Sequence, residues 1–326
     1  MNTIPVDAVP AFPAVLGDDP LPTPDDYRAF WAEALEDAET HPLALRREQV
    51  DTGLTALEVY DVSFAGYGGR RVTAWLRLPR ERREALPAVV HANGYGAGRL
   101  APIDDLTWSA AGFAHLTLNT HGQGGGSTGH ILEGLDDPHR SYYRGVLVDA
   151  ARAVQAVRAL AEVDPARVAA IGNSQGGGIA LGVGALVLDL RAVLAQAPFL
   201  TDAPAALRRA AHGPWSEVRE YLRENPGKAD AVARTLSYVD GVTSARHAVA
   251  PGWISAGAVD DICPPETARA AAGAYAAPVA FREWPGAGHE AGGTEDRTRA
   301  VAVLHEVFGG DADTGVQTFT AGDHSA

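Results

Sequence analysis

The sequence predicts an α/β fold, a mostly parallel central sheet with helices on both faces, and two patterns predict it. From residue 87 onward, short apolar runs alternate with helix-length segments. Continuous apolar strands of this kind are what a sheet covered on both faces requires. Gly-rich loops also follow several of those strands, at the carboxyl ends where such sheets build their sites. Composition agrees, since 326 residues at 46% hydrophobic and 21% charged belong to a chain that forms a core. The length admits two domains or one large α/β domain.

Residues 24–41 predict an amphipathic helix. Tyr27, Phe30, Trp31, Leu35 and Ala38 recur at helical spacing, with acidic residues expected in the first turn. Residues 1–50 are thus expected to form an N-terminal helical extension packed on the domain. Two alternating segments, 55–64 and 71–78, predict a hairpin around AGYGG. The parallel strands follow as PAVVHAN from 87, FAHLTLN (113–119), RVAAIGN (167–173), RAVLAQA (191–197), GWISAG (252–257) and VAFREW (279–284). Helices are expected at about 141–162, 175–188, 264–276 and 293–308. Helical, charged sequence at about 200–250 interrupts the rhythm and predicts a small cap insertion within a domain of 51–308; residues 309–326 predict a polar tail.

Lys+Arg number 27 against Asp+Glu 41, a net charge of −14 with no basic run. A nucleic-acid partner is not expected, because phosphate binding needs clustered cations. Residues 1–20 have neither a basic start nor an apolar signal core, and no run approaches the roughly 18 apolar residues of a membrane helix. The expectation is a cytoplasmic protein with no membrane partner. A single cysteine, Cys263, excludes an intramolecular disulfide and a Cys-based zinc cage. His121, His130 and His139 lie nine apart, unlike compact zinc spacings, so neither metal nor cofactor is expected.

GNSQG at 172–176 fits G-x-S-x-G between a strand and a helix. A sharp strand-to-helix turn exposes the Ser174 hydroxyl, and it needs Gly172 and Gly176 because side chains there would clash. The Gln175 N–H at the helix start is one candidate oxyanion donor. Tyr95 N–H, in the loop HANGYG after an earlier strand, is the other. A serine hydroxyl needs a base and an orienting carboxylate. Strand 252–257 runs into Asp260-Asp261 and strand 279–284 into a Gly-rich loop holding His289. The order Ser, Asp, His is that of the α/β-hydrolase fold. Asp260, in a G-x-x-D pattern, is favoured over Asp261. His91 lies inside a strand run and is expected to be a packed histidine; His305 and His324 are expected at the surface.

At these residues the chain resembles the acetyl xylan esterase/cephalosporin C deacetylase family of α/β-hydrolases, carbohydrate esterase family seven. The resemblance runs from the 24–41 helix to about residue 308, on SYYRGVLVDAARAV (141–154), GNSQGGGIAL (172–181), RTLSYVDGV (234–242), ICPPET (262–267) and GHEAGG (288–293). It implies a triad of Ser174, Asp260 and His289 with oxyanion donors at Tyr95 and Gln175. It also implies removal of acetyl groups from sugars or small acetylated molecules, no metal, and a homo-oligomer, commonly a hexamer. Two features depart from the family. Its Arg-Gly-Gln motif reads His121-Gly122-Gln123 here, which removes a permanent charge and a bidentate donor fork. The segment between HGQGGGS and SYYRG is also shorter than the family's. The alternative is a biosynthetic enzyme on the same fold that eliminates acetate from, or transfers an acyl group of, an acetylated intermediate.

Overall fold

The structure is a computed structural model and describes residues 16–309. Strands β1 (Arg46–Val50), β2 (Leu57–Ala65) and β3 (Arg71–Pro79) form an antiparallel ribbon. Strands β4 (Leu86–Ala92), β5 (Ala114–Leu118), β6 (Val163–Asn173), β7 (Ala192–Gln196), β8 (Gly252–Gly257) and β9 (Val279–Trp284) run parallel to one another. All nine join one sheet in the order β1-β2-β3-β5-β4-β6-β7-β8-β9. The expected hairpin and each expected parallel strand are present.

The helices are α1 (Tyr27–Glu39), α2 (Thr107–Ala110), α3 (Tyr142–Arg158), α4 (Gln175–Leu186), α5 (Ala203–Arg209), α6 (Pro214–Glu224), α7 (Ala229–Val239), α8 (Gly241–Ala245), α9 (Pro265–Ala274) and α10 (Gly293–Gly309). Two separate apolar cores mark the two covered faces. One gathers α1, α3, α4 and α8 around residues such as Trp31, Tyr143 and Leu181. The other packs Trp108 of α2 and Leu304 of α10 against Val89, Ile171 and Leu194.

Three local expectations shift. β1 was not predicted, because RREQV has no apolar alternation and lies largely exposed at the sheet edge; charge on an edge strand discourages pairing with another chain. Helix α1 buries Ala34 in place of Leu35. Asp25 and Asp26 precede α1 instead of filling its first turn, and Asp26 accepts the Tyr238 hydroxyl at 2.6 Å. The polar tail beyond residue 309, with His324, lies outside the described residues.

Helices α5 to α8 occupy the chain between β7 and β8. Asp240, 3% exposed, ties the two ends of that segment. Its carboxylate accepts Asp202 N–H at 3.1 Å, Ala203 N–H at 2.8 Å and Val242 N–H at 2.8 Å. One acid thus serves orphan donors at the start of both α5 and α8.

Trp31 joins α1 to the rest. It is 2% exposed, meets Phe30 edge-on at 5.2 Å, and its indole N–H donates to the Tyr238 carbonyl at 3.2 Å. Trp31→Ala should therefore lower unfolding free energy by about 3–5 kcal/mol in urea titration. A loss below about 1 kcal/mol, the size of a surface change, would place α1 outside the cooperative core.

Candidate active site

Strand β6 turns into α4 at Ser174, whose backbone is held at φ 54 and ψ −121. A non-glycine residue there stores about 1–3 kcal/mol of strain. The surroundings hold it: Ser174 N–H donates to Gln196 O at 2.9 Å, and its carbonyl accepts from Gly178 N–H at 3.1 Å and Phe199 N–H at 2.9 Å. A Cβ on Gly172 would stand 2.2 Å from the Gly176 carbonyl, and one on Gly176 only 1.8 Å from the Ala92 carbonyl oxygen. Both glycines are therefore dictated by backbone-to-backbone approach, as the sequence predicts.

The structure brings Asp260, not Asp261, to His289. Asp260 Oδ2 lies 2.8 Å from His289 Nδ1, and Asp260 Oδ1 accepts Ile262 N–H and Cys263 N–H, each at 2.9 Å. The Asp260 side chain is fully buried, whereas the imidazole is 27% exposed. Asp261 turns outward, its backbone carbonyl taking the Ala211 N–H at 2.6 Å. Among the described residues no hydrogen bond joins the Ser174 hydroxyl to His289.

The two backbone N–H groups expected as oxyanion donors belong to segments beside Ser174. Gln175 opens α4, so its N–H is one of the donors that a helix start leaves unpaired. The Tyr95 loop passes beside the serine, since a Cβ on Gly94 would meet Ser174 Cβ at 3.7 Å. Neither N–H has a protein acceptor among the described residues. Sequence reasoning missed the residue that joins these loops, Gln123. Its Oε1 accepts Gly96 N–H at 2.7 Å and Gln175 Nε2 at 3.0 Å, and its Nε2 donates to Gln175 Oε1 at 2.7 Å and to the Tyr142 hydroxyl at 3.0 Å. The Gly-rich HGQGGGS run after β5 was the available signal.

The Tyr95 ring forms part of an aromatic wall with Phe199 (6.5 Å between centroids) and, through Phe199, Trp215 of α6 (4.9 Å). Its hydroxyl accepts Ile131 N–H at 3.2 Å, and burial pushes the phenol up to about 12. The segment around 129–131 and α6 therefore meet over Tyr95, with Glu217 accepting Gly129 N–H at 3.0 Å.

At position 121, where the resembled motif carries arginine, the histidine meets a cation from another loop. Arg70 Nη1 donates to His121 Nε2 at 2.8 Å. This leaves the proton of the neutral ring on Nδ1, which faces Asp149 Oδ2 at 4.0 Å. Burial lowers the His121 pKa, and the Arg70 charge lowers it further. Burial pushes Asp149 up to about 7, against a hydrogen bond from Tyr67 N–H that lowers it. The other histidines divide as follows. His91 is buried, 7% exposed, and burial takes it down to about 4. His305 is exposed and tilts against Phe113 at 4.8 Å. His121, His130 and His139 do not converge; among the described residues the one group of metal-ligating side chains is His91, Asp105 and His115.

Three comparisons place this geometry. The family model described as "Acetyl xylan esterase (AXE1)" matches residues 19–306. The acetyl xylan esterase structure from Paenibacillus sp. R4 superposes with a TM-score of 0.82 at 30% identity, covering 90% of this chain and 99% of that one. Acetyl xylan esterase 1 from Thermoanaerobacterium sp. JW/SL YS485 gives 0.80 at 28% identity, covering 88% and 95%. The acetyl esterase Axe7A of Xylanibacter ruminicola is 27% identical over 261 residues, 75% of this chain. The match spans 58% of the length of that relative. These likenesses make the fold that of the α/β-hydrolases. No helix among the described residues is long and apolar enough to cross a membrane.

Two outcomes are expected. Gln123→Ala should lower kcat on the order of 10- to 100-fold with KM little changed, because the donor loops lose their brace and small misplacements of catalytic groups are costly. Steady-state kinetics on an acetate ester measures it. Asp149 gives a pH signature. The folded protein keeps a proton there up to about pH 7, whereas an unfolded aspartate releases it near 4. Stability from that proton is full below the unfolded value and is lost as pH rises through about 7. Asp149→Asn keeps the Tyr67 acceptor, so its Tm should fall less between pH 5 and 8 than the wild-type Tm does.

Proposed function

Because the chain belongs to the acetyl xylan esterase (AXE1) family, we propose that it is a carboxylic ester hydrolase that removes acetyl groups from sugars or small metabolites through an acyl-enzyme. The observation that carries this reading is the pairing of a strained, glycine-flanked Ser174 with a buried Asp260–His289 couple. The proposed roles follow from position. His289 Nε2 takes the proton of Ser174 as Oγ attacks the ester carbonyl. Asp260 fixes the tautomer with the proton on Nδ1 and stabilises the imidazolium that forms. Tyr95 N–H and Gln175 N–H receive the negative charge on the carbonyl oxygen, where preorganised donors cost no reorganisation.

Collapse of the tetrahedral intermediate breaks the ester C–O bond, and His289 returns the proton to the departing alcohol. Water then attacks the acetyl-serine, giving its proton to His289, and acetate leaves with Ser174 restored. The helices between 200 and 250 act as a cap, and the protein works in the cytoplasm as a homo-oligomer with its small acetylated substrate as partner. The names of the relatives favour hydrolysis over elimination or acyl transfer.

The test is release of p-nitrophenol from acetate, butyrate and octanoate esters. Wild type should turn over acetate fastest, and Ser174→Ala should lose on the order of 10³-fold or more in kcat, because triad members act as a unit. Retained activity in Ser174→Ala would overturn the assignment. Product analysis on an acetylated sugar should give free alcohol and acetate; an alkene with acetate would instead select elimination.

A further inference from the structure

On the sheet face covered by α2 and α10 lies a second group of chemistry-bearing side chains, which ester hydrolysis at Ser174 leaves unused. His91 on β4 pairs in register with Thr117 on β5. The two-residue period of a strand therefore brings His115 to the same face. The loop before α2 adds Asp105, whose backbone is held at φ 47, a conformation that costs free energy in a non-glycine residue. Leu100, in the same loop, is also at positive φ. The Asp105 carboxylate points inward, to the His91 ring.

His91 Nδ1 lies 3.2 Å from His115 Nε2 and 3.3 Å from Asp105 Oδ2. Four ligands held at about 2.0 Å around a tetrahedral ion are separated from each other by about 3.3 Å. Two of the three separations thus already match such a site, and all three atoms lie within 4.8 Å of one another. Direct hydrogen bonding leaves part of the group unpaired. His115 Nε2 faces both His91 Nδ1 and the Thr117 hydroxyl, the latter at 3.0 Å, and Asp105 Oδ2 also accepts the Trp108 indole N–H at 3.2 Å, while His115 Nδ1 is buried with no partner among the described residues. Asp105 Oδ1 would remain buried with no partner.

His91 and Asp105 also line a cavity of about 380 Å³ that extends to the loop of His289. Its far wall carries Asp296, 4% exposed, whose Oδ2 accepts the Ser255 hydroxyl while Oδ1 has no partner. The opposing charges are Arg297 in the cavity wall and Arg77 on β3. Arg77 donates to Thr117 Oγ1 at 2.7 Å and to the Pro102 carbonyl at 2.8 Å, and its charge reaches both His91 and His115. The acids Asp105 and Asp104 act on it electrostatically.

We propose that His91, His115 and Asp105 bind one divalent transition-metal ion of the zinc class, with the remaining coordination position open to the cavity beside the His289 loop. Two imidazoles and one carboxylate form a donor set suited to such an ion. Three protein ligands leave one position for water or for a donor atom of a small molecule in the cavity. The ion would also pin β4, β5 and the strained 99–106 loop together.

Zinc binding to untagged, chelator-treated full-length protein is measured by calorimetric titration and elemental analysis, with Co²⁺ absorption reporting coordination. One Zn²⁺ per chain is expected, with a tetrahedral Co²⁺ spectrum. His115→Gln and Asp105→Asn should weaken Zn²⁺ binding on the order of 100-fold or more, while Ser174→Ala binds as wild type does. Circular dichroism checks folding, and Asp105→Asn, on a loop, decides the matter if His115→Gln does not fold. No stoichiometric uptake would overturn the proposal. So would uptake that survives both substitutions, or that His289→Ala abolishes while His115→Gln does not. The readout is metal content, so the result stands whether or not the protein hydrolyses esters.

Discussion

The contact on which the site depends is the approach of α4 to the ends of β4 and β6. There the Gly176 backbone lies so close to the Ala92 carbonyl that a methyl group would reach 1.8 Å from its oxygen. That approach sets the height of the helix over the sheet, and with it the position of the Gln175 N–H and the strained Ser174 backbone. Strain of this size persists only where the surroundings fix it on every side. Here the hydrogen bonds from Ser174 to Gln196, Gly178 and Phe199 do so. The glycines of the elbow are a consequence of packing before they are a consequence of chemistry.

A second level of order couples loops that are far apart in sequence. Gln123 holds the Gly96 backbone and the Gln175 side chain at once, so the two proposed oxyanion donors are braced by one amide. Tyr143 completes the arrangement by donating to Gln175 Oε1 at 3.0 Å. Such a network is buried and mutually satisfied, the condition under which polar groups add specificity in a core. Its members come from the loops after β4 and β5 and from α3 and α4, which means that the arrangement is set by several elements together and not by any single loop.

Legibility in the sequence followed the same division. Parallel strands announced themselves as apolar runs, and the elbow announced itself because G-x-S-x-G encodes a steric requirement. Asp260 was separable from Asp261 by its distance from the strand end, and the structure turns the two in opposite directions. What the sequence hid were contacts between elements. β1 carries four charged or amide side chains and no alternation, so nothing local marks it as a strand. Gln123 is one polar residue in a Gly-rich loop until α4 is placed against it. His91, Asp105 and His115 sit 14 and 10 residues apart, a spacing that only strand register and a strained loop convert into a cluster.

The change at position 121 illustrates how another loop can bring a charge to a substituted residue. A histidine in place of arginine removes a fixed cation from the loop that carries Gln123, and Arg70, reaching from the β2–β3 connection, donates to the ring. The imidazole then relays that polarity toward Asp149, which is buried and, among the described residues, receives the Tyr67 N–H at 2.7 Å. The His121 backbone carbonyl meanwhile accepts the Tyr142 hydroxyl, and Tyr142 in turn receives Gln123. The position is therefore held from both ends, by a borrowed guanidinium on the side-chain side and by a tyrosine on the backbone side. Burial and the Arg70 charge both keep the ring neutral, so the pH dependence of this support lies with the buried Asp149 carboxyl.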